Sequence, residues 1–197
     1  MEGTLGLGGK LGTRVIRAPG PGLAWKMRNL PHVLPGLWRH ALARVLNMNH
    51  MLGCLAARLI KADGSVVNYG LVSTQLVTDA FVEFMVDQLQ AETSEWGDFK
   101  YHDSGIGTTN PATGDTGIET SDEESRATGS QTEGASANIY KSVGTISYTT
   151  TKAITEHGLF STSDSTTLMD RHEFSAINVV NGDSIEFTYQ LTCSSGG

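Results

Sequence analysis

His102, Asp103 and Ser104, the three residue types of a hydrolytic relay, stand side by side in the stretch FKYHDSGIGTTNPATGDTGIET. Such a relay needs an imidazole that touches the nucleophilic hydroxyl on one side and the carboxylate on the other. Consecutive residues on a strand alternate faces. His102 is therefore expected to point away from Asp103 and Ser104, so the three cannot build the relay among themselves. The stretch reads as a strand end that turns into a surface loop.

The remaining candidates for chemistry are weaker. His32, His40, His50, His102, His157 and His172 are the six histidines, and none stands at a metal-ligand spacing from another His or Cys. Glu156-His157 and Arg171-His172-Glu173 set carboxylates beside imidazoles, but neighbouring strand residues face opposite ways. The acidic run Ser121 to Ser125 lacks the alternating oxygen ligands and terminal Glu of an EF-hand loop and reads as a solvated charged loop. Near the start, Gly9-Lys10 has Thr4 and Leu11 where a phosphate-binding loop needs a Gly and a hydroxyl. Gly6 and Gly8 are followed by Leu11 where a dinucleotide fingerprint needs a third Gly. No catalytic residue, cofactor or metal ligand is expected, and the chain reads as a non-enzyme.

The elements around these residues are mostly strands. SIEFTYQLTC alternates Ile185, Phe187, Tyr189 and Leu191 with polar residues, the period of a half-buried strand in an antiparallel sheet. NIYKSVGTISYT, AITEHGLFS and TTLMDRHEFSAINVV follow the same habit. CLAARLIKADGSVVNYGLVS reads as a hairpin turning at Asp63-Gly64. Strands at this spacing predict a mainly β body, an antiparallel β-sandwich or jelly roll. Its one clear helix is VTDAFVEFMVDQLQ, capped by Thr78 or Asp79. Val77, Phe81, Val82, Phe84, Met85, Val86 and Leu89 form its apolar stripe, and Glu83, Asp87 and Gln88 are expected to face outward. Ser104 to Ala137 is a long polar loop in which 18 of 34 residues are Gly, Ser or Thr. A structureless segment of that length is a functional loop or a mobile one.

Charge divides the chain. Residues 1–61 carry nine Lys/Arg against one acid, and residues 62–197 carry five against twenty. An acidic body of this kind repels nucleic-acid phosphates, and no apolar run reaches the roughly 20 residues of a membrane span. Residues 1–52 read as an extended basic arm, because four of the five prolines fall before position 36. A short basic amphipathic helix follows Pro35, with Leu37, Trp38, Leu42, Val45 and Leu46 near helical spacing. Residues 53–197 form the body. The arm is expected to bind a partner through Leu37, Trp38, Leu42 and Leu46, with Arg14, Arg17, Lys26, Arg28, Arg39 and Arg44 meeting acidic groups. Two cysteines, Cys54 and Cys193, are read as buried or free thiols, or as one bridge if the terminal strands are neighbours.

The order KYHDSGIGTT, SRATGSQTEG, AITEHGLFS, TTLMDRHEFSAINVVNGDSIEFTYQLT resembles a family of small structural proteins of tailed bacteriophages, over about residues 53–197. The resemblance implies a virion component with no catalytic residue. Within that resemblance, a capsid decoration (cement) protein on the outer capsid surface fits a compact body with a basic arm best, and the resemblance implies a homotrimer that staples neighbouring major capsid subunits. Similar patterns in phage tail and fibre proteins imply a tail or neck component as the alternative.

Overall fold

The computed structural model describes residues 20–46, 48, 50–75, 77–89, 99–122, 124–164 and 167–194. Two antiparallel sheets face each other. The first holds β1 (His50–Ile60), β2 (Val66–Gln75), β5 (Ser130–Glu133), β6 (Ile139–Ser147) and β9 (Ser184–Ser194), in the spatial order β2-β1-β9-β6-β5. The second holds β3 (Tyr101–Gly105), β4 (Ala127–Thr128), β7 (Lys152–Phe160) and β8 (Leu168–Val179), in the order β4-β3-β7-β8. Two helices, α1 (Leu23–Val45) and α2 (Asp79–Leu89), complete the described elements. The protein is a mainly β, two-sheet sandwich.

Alternation builds the core. Ile185, Phe187, Tyr189 and Leu191 of β9 are all buried, as are Leu55, Ala57 and Leu59 of the neighbouring β1. Leu159, Phe174 and Ile177 face them from the second sheet. The β1–β2 hairpin turns where expected. Gly64 adopts a φ of 81°, which only glycine reaches without cost, and Asp63 accepts the Ser65 amide at 2.8 Å.

The first helix departs from the sequence reading. The prolines were expected to keep the chain before Pro35 extended, yet α1 runs 23 residues with Pro31 and Pro35 inside it. Each interior proline costs about 3 kcal/mol in an isolated helix, so tertiary anchors must offset them. Trp25 Nε1 donates to the carbonyls of Ser175 and Ala176, at 3.2 and 3.0 Å. The buried Asn29 amide donates to the Val72 carbonyl at 2.7 Å and accepts the Ser175 amide at 2.9 Å. His32 pairs with Glu173 at 2.6 Å. At Gly36, a methyl group would come within 2.6 Å of Thr74 Cβ, so helix and strand touch backbone to side chain. Since β2 and β8 are each an edge strand of their sheet, α1 spans one open side of the sandwich.

The second helix also presents a different face. Phe81 is buried, packed edge-on against Phe99 with ring centroids 5.1 Å apart. Gln88 is buried as well, while Val82, Val86 and Leu89 are exposed. The apolar stripe was broader than the core it meets, and the three outer positions stay outside. Thr78 is the cap, its hydroxyl accepting the Phe81 amide at 3.2 Å.

Candidate functional site

His102 begins a chain of polar groups inside the sandwich. Its Nε2 lies 2.8 Å from Ser142 Oγ on β6, and its Nδ1 lies 2.9 Å from His157 Nε2 on β7. His157 stands directly across from His172 of β8 in the sheet register, and their ring centroids are 6.4 Å apart. His172 Nε2 is 3.2 Å from Asp170 Oδ2. That approach is misaligned for a hydrogen bond, and both His172 nitrogens lack a hydrogen-bond partner. Asp170 Oδ2 accepts the Tyr189 hydroxyl at 3.1 Å. All six side chains are buried.

Three neighbouring strands, β3, β7 and β8, carry the imidazoles of this row. In the β3–β7 register Ser104 sits opposite His157 and His102 opposite Leu159, so His102, Ser104 and His157 share the inner face. The expectation that His102 points away from both neighbours therefore fails for Ser104, because residues two apart on a strand return to one face. Even so, no relay forms. Asp103 turns outward and pairs with Arg126 Nε at 2.9 Å. Ser104 Oγ bonds the carboxylate of Asp122 and lies 3.0 Å from the Tyr148 hydroxyl. Each member of the triplet serves a different partner. The stretch is interior framework, and the surface loop begins only after it.

Burial sets the electrostatics. Desolvation lowers His102 to about 3 and holds His157 well below the usual histidine range, with the neighbouring imidazoles adding to the effect. Both rings are neutral near pH 7. Desolvation likewise raises Asp122 and Asp103, the latter against the opposing pull of Arg126. A row buried this completely offers no approach to a substrate. No group of three or more His, Cys, Asp or Glu able to hold a metal ion occurs among the described residues.

The outer face of the second sheet carries a second polar centre. Glu156 is fully buried. One of its oxygens accepts the Gly107 and Thr120 amides, at 2.9 and 2.8 Å. The other accepts the Glu119 amide and Arg171 Nε, both at 2.9 Å. Arg171 continues to Asp115 at 3.0 Å and Glu119 at 3.4 Å. The long polar segment is thereby drawn over the sheet from Gly107 to Thr120, and farther on it supplies β4 and β5. The acidic run is not simply solvated. Asp122 is buried, and Glu124 accepts the Thr149 amide at 3.0 Å; Glu123 lies outside the described residues. An open depression of about 430 Å³ at the β5–β6 edge is lined by Gln131, Thr132, Glu133, Ala137, Ile139 and Tyr140. It includes no member of the imidazole row.

What faces solvent most conspicuously is α1. Trp25, Asn29 and Gly36 form its buried stripe. Leu23, Met27, Leu30, Leu34, Leu37, Trp38 and Val45 are exposed, Trp38 at 73 %. At 3.6 residues per turn these positions lie opposite the buried stripe. Lys26 and Arg44 flank the outward face on one side and Arg28 and Arg39 on the other. None of the four pairs with a carboxylate among the described residues. Of the partner-binding residues expected from sequence, Lys26, Arg28, Leu37, Trp38, Arg39, Leu42, Arg44 and Leu46 are all exposed on α1 or at its C-cap. Arg14 and Arg17 lie outside the described residues. Leu23, Met27, Leu30 and Leu34 were missed because the prolines were read as breaks. Their alternating spacing of four and three, continued by Leu37 and Ala41, was the available signal.

Cys54 and Cys193 are free. The terminal strands β1 and β9 are neighbours, but Cys54 lies across from Gln190 and Cys193 across from Met51. No protein-family model, curated protein or solved structure matches the chain.

Proposed function

We propose that this protein is a non-enzymatic structural component of a bacteriophage virion, a capsid decoration protein that staples neighbouring major capsid subunits on the outer shell. In this reading it works as a homotrimer, with α1 lying on the shell or on a neighbouring subunit. The observation that carries the proposal is the exposed apolar face of α1, opposite its anchored side. A helix anchored to the body on one side and apolar on the opposite side is suited to burial between two bodies, and among the described residues the chain supplies only one of them. The cations flanking that face, unpaired with any carboxylate among the described residues, favour an acidic surface, and Trp and Arg are the side chains expected at binding hot spots. The burial of all three imidazoles in the closed interior supports a framework role over catalysis. The resemblance of residues 53–197 to phage structural proteins supports the virion setting. A protein that binds only the assembled shell stabilises that shell by mass action.

The test is the copy number of the chain per purified particle, measured by quantitative mass spectrometry against the major capsid protein. A ratio near one, or a simple fraction of it, is expected for decoration. About a dozen copies or fewer, the number of a closed ring, would move the protein to the tail or neck, and absence from particles would end the virion reading.

A further inference from the structure

The partner of the outward face of α1 has a recognisable complement on the same chain. On α2, Val82, Val86 and Leu89 form an exposed apolar ridge, Leu89 at 80 %. Their spacing of four and three puts them on one face of the helix. Asp79, Glu83 and Asp87 run beside that ridge at intervals of four, and α2 contains no Lys or Arg. Among the described residues none of the three carboxylates is paired. α1 has the opposite character, with an apolar ridge, no Asp or Glu, and four cations that pair with no carboxylate among the described residues.

We propose that α2 of a second copy of this chain covers part of the outward face of α1, in a head-to-tail contact that leaves each copy one donor helix and one acceptor helix. This rests on the reading of the protein as an assembly component and names what α1 meets first. Pairing α1 with α1 about a two-fold axis would set Lys26, Arg28, Arg39 and Arg44 against their own copies, and like charges across an interface are costly. Pairing within one chain is barred by the anchors. Asn29 and His32 fix α1 at Ser175 and Glu173 of β8, while Thr78 fixes the start of α2 at the Leu168 and Met169 carbonyls. Both apolar ridges point away from those anchors. Since α2 has 11 residues against 23 in α1, it covers about half of the outward face. The remainder stays available to the shell. A heterologous contact of this kind closes into a ring when its rotation divides a full turn.

The test is sedimentation velocity on the full chain in the absence of particles. The wild type is expected to be oligomeric. Glu83→Lys with Asp87→Lys is expected to weaken association by at least about tenfold through like-charge contact, with circular dichroism unchanged. These substitutions place cations toward the C-terminal end of α2, where the helix dipole favours them. Reversing the α1 flanks in turn, Arg28→Glu with Arg39→Glu or Lys26→Glu with Arg44→Glu, weakens wild-type association as well. When combined with the α2 reversal, one of the two flank reversals restores it. A wild-type chain that remains monomeric overturns the proposal, whether or not α1 then binds anionic vesicles. So does an α2 reversal without effect, or a failure of both flanks to restore. The particle copy number is a separate readout: a monomer present at near-capsid stoichiometry would overturn this contact and leave the decoration reading standing.

Discussion

His102 Nδ1 and His157 Nε2 lie 2.9 Å apart in the closed interior of the sandwich, on strands that are neighbours only in the fold. One imidazole donates and the other accepts, so the bond requires that the pair stay unprotonated beyond its two neutral-ring protons. Folding therefore depends on pH. His102 has a pKa of about 3 in the folded chain against 6.5 when unfolded. Above pH 6.5 neither state takes the extra proton, and stability is complete. As the pH falls from 6.5 toward 3 the unfolded chain binds a proton that the folded chain refuses. Each such imidazole then removes about 1.4 kcal/mol per pH unit. His157 is lowered for the same reason and adds to the slope. Urea unfolding at a series of pH values should show this loss. His102→Gln should make the slope shallower.

The His102 ring packs flat against glycine on β6. A methyl group added at Gly144 would fall 2.7 Å from His102 Cγ, with neither strand free to retreat. Gly144→Ala should destabilise the fold by about 1–3 kcal/mol, the usual cost of overfilling a packed interior. Thermal unfolding by circular dichroism would measure it.

Glu156 should prove the main tether of the segment from Gly107 to Thr120. Glu156→Gln places an amide N–H₂ among three backbone N–H donors and leaves Arg171 short of a buried carboxylate. Removing one member of a buried ion pair costs about 3–5 kcal/mol. The expected result is a lower melting temperature and new proteolytic cleavage between residues 107 and 120, located by mass spectrometry.

Asn29 joins α1 to both sheets through Val72 and Ser175. Asn29→Ala leaves the buried Val72 carbonyl without its partner, at about 1–3 kcal/mol, and frees the part-buried Ser175 amide. Hydrogen exchange in residues 23–36 should accelerate more than in β9. Equal acceleration throughout would show that α1 unfolds only with the whole body.

The two thiols should differ in reactivity. Burial, with the Asp170 carboxylate adding to it, raises Cys54 to about 11, while Cys193 is exposed and raised by burial alone. Only thiolate reacts. A disulfide reagent near neutral pH should label Cys193 first, and Cys54 should follow only on unfolding.

Periodicity by itself determined the strands. The alternation of Ile185, Phe187, Tyr189 and Leu191 already states which side of β9 is core, because a strand has only two faces. Asp63-Gly64 stated the hairpin, and the uneven charge stated that the basic segment and the acidic body differ in what they attract. Local pattern carries no information on which strands become neighbours. His102, His157 and His172 are 55 and 15 residues apart, and only the order β3-β7-β8 brings them into one row. The same limit hid the first helix. Pro31 and Pro35 weaken a helix considered alone, and the bonds that outweigh them come from Val72, Glu173 and Ser175, distant in sequence. The tertiary structure decided that α1 closes the sandwich through Trp25, Asn29, His32 and Gly36, because the edge strands β2 and β8 offer them partners, and leaves its apolar face outward.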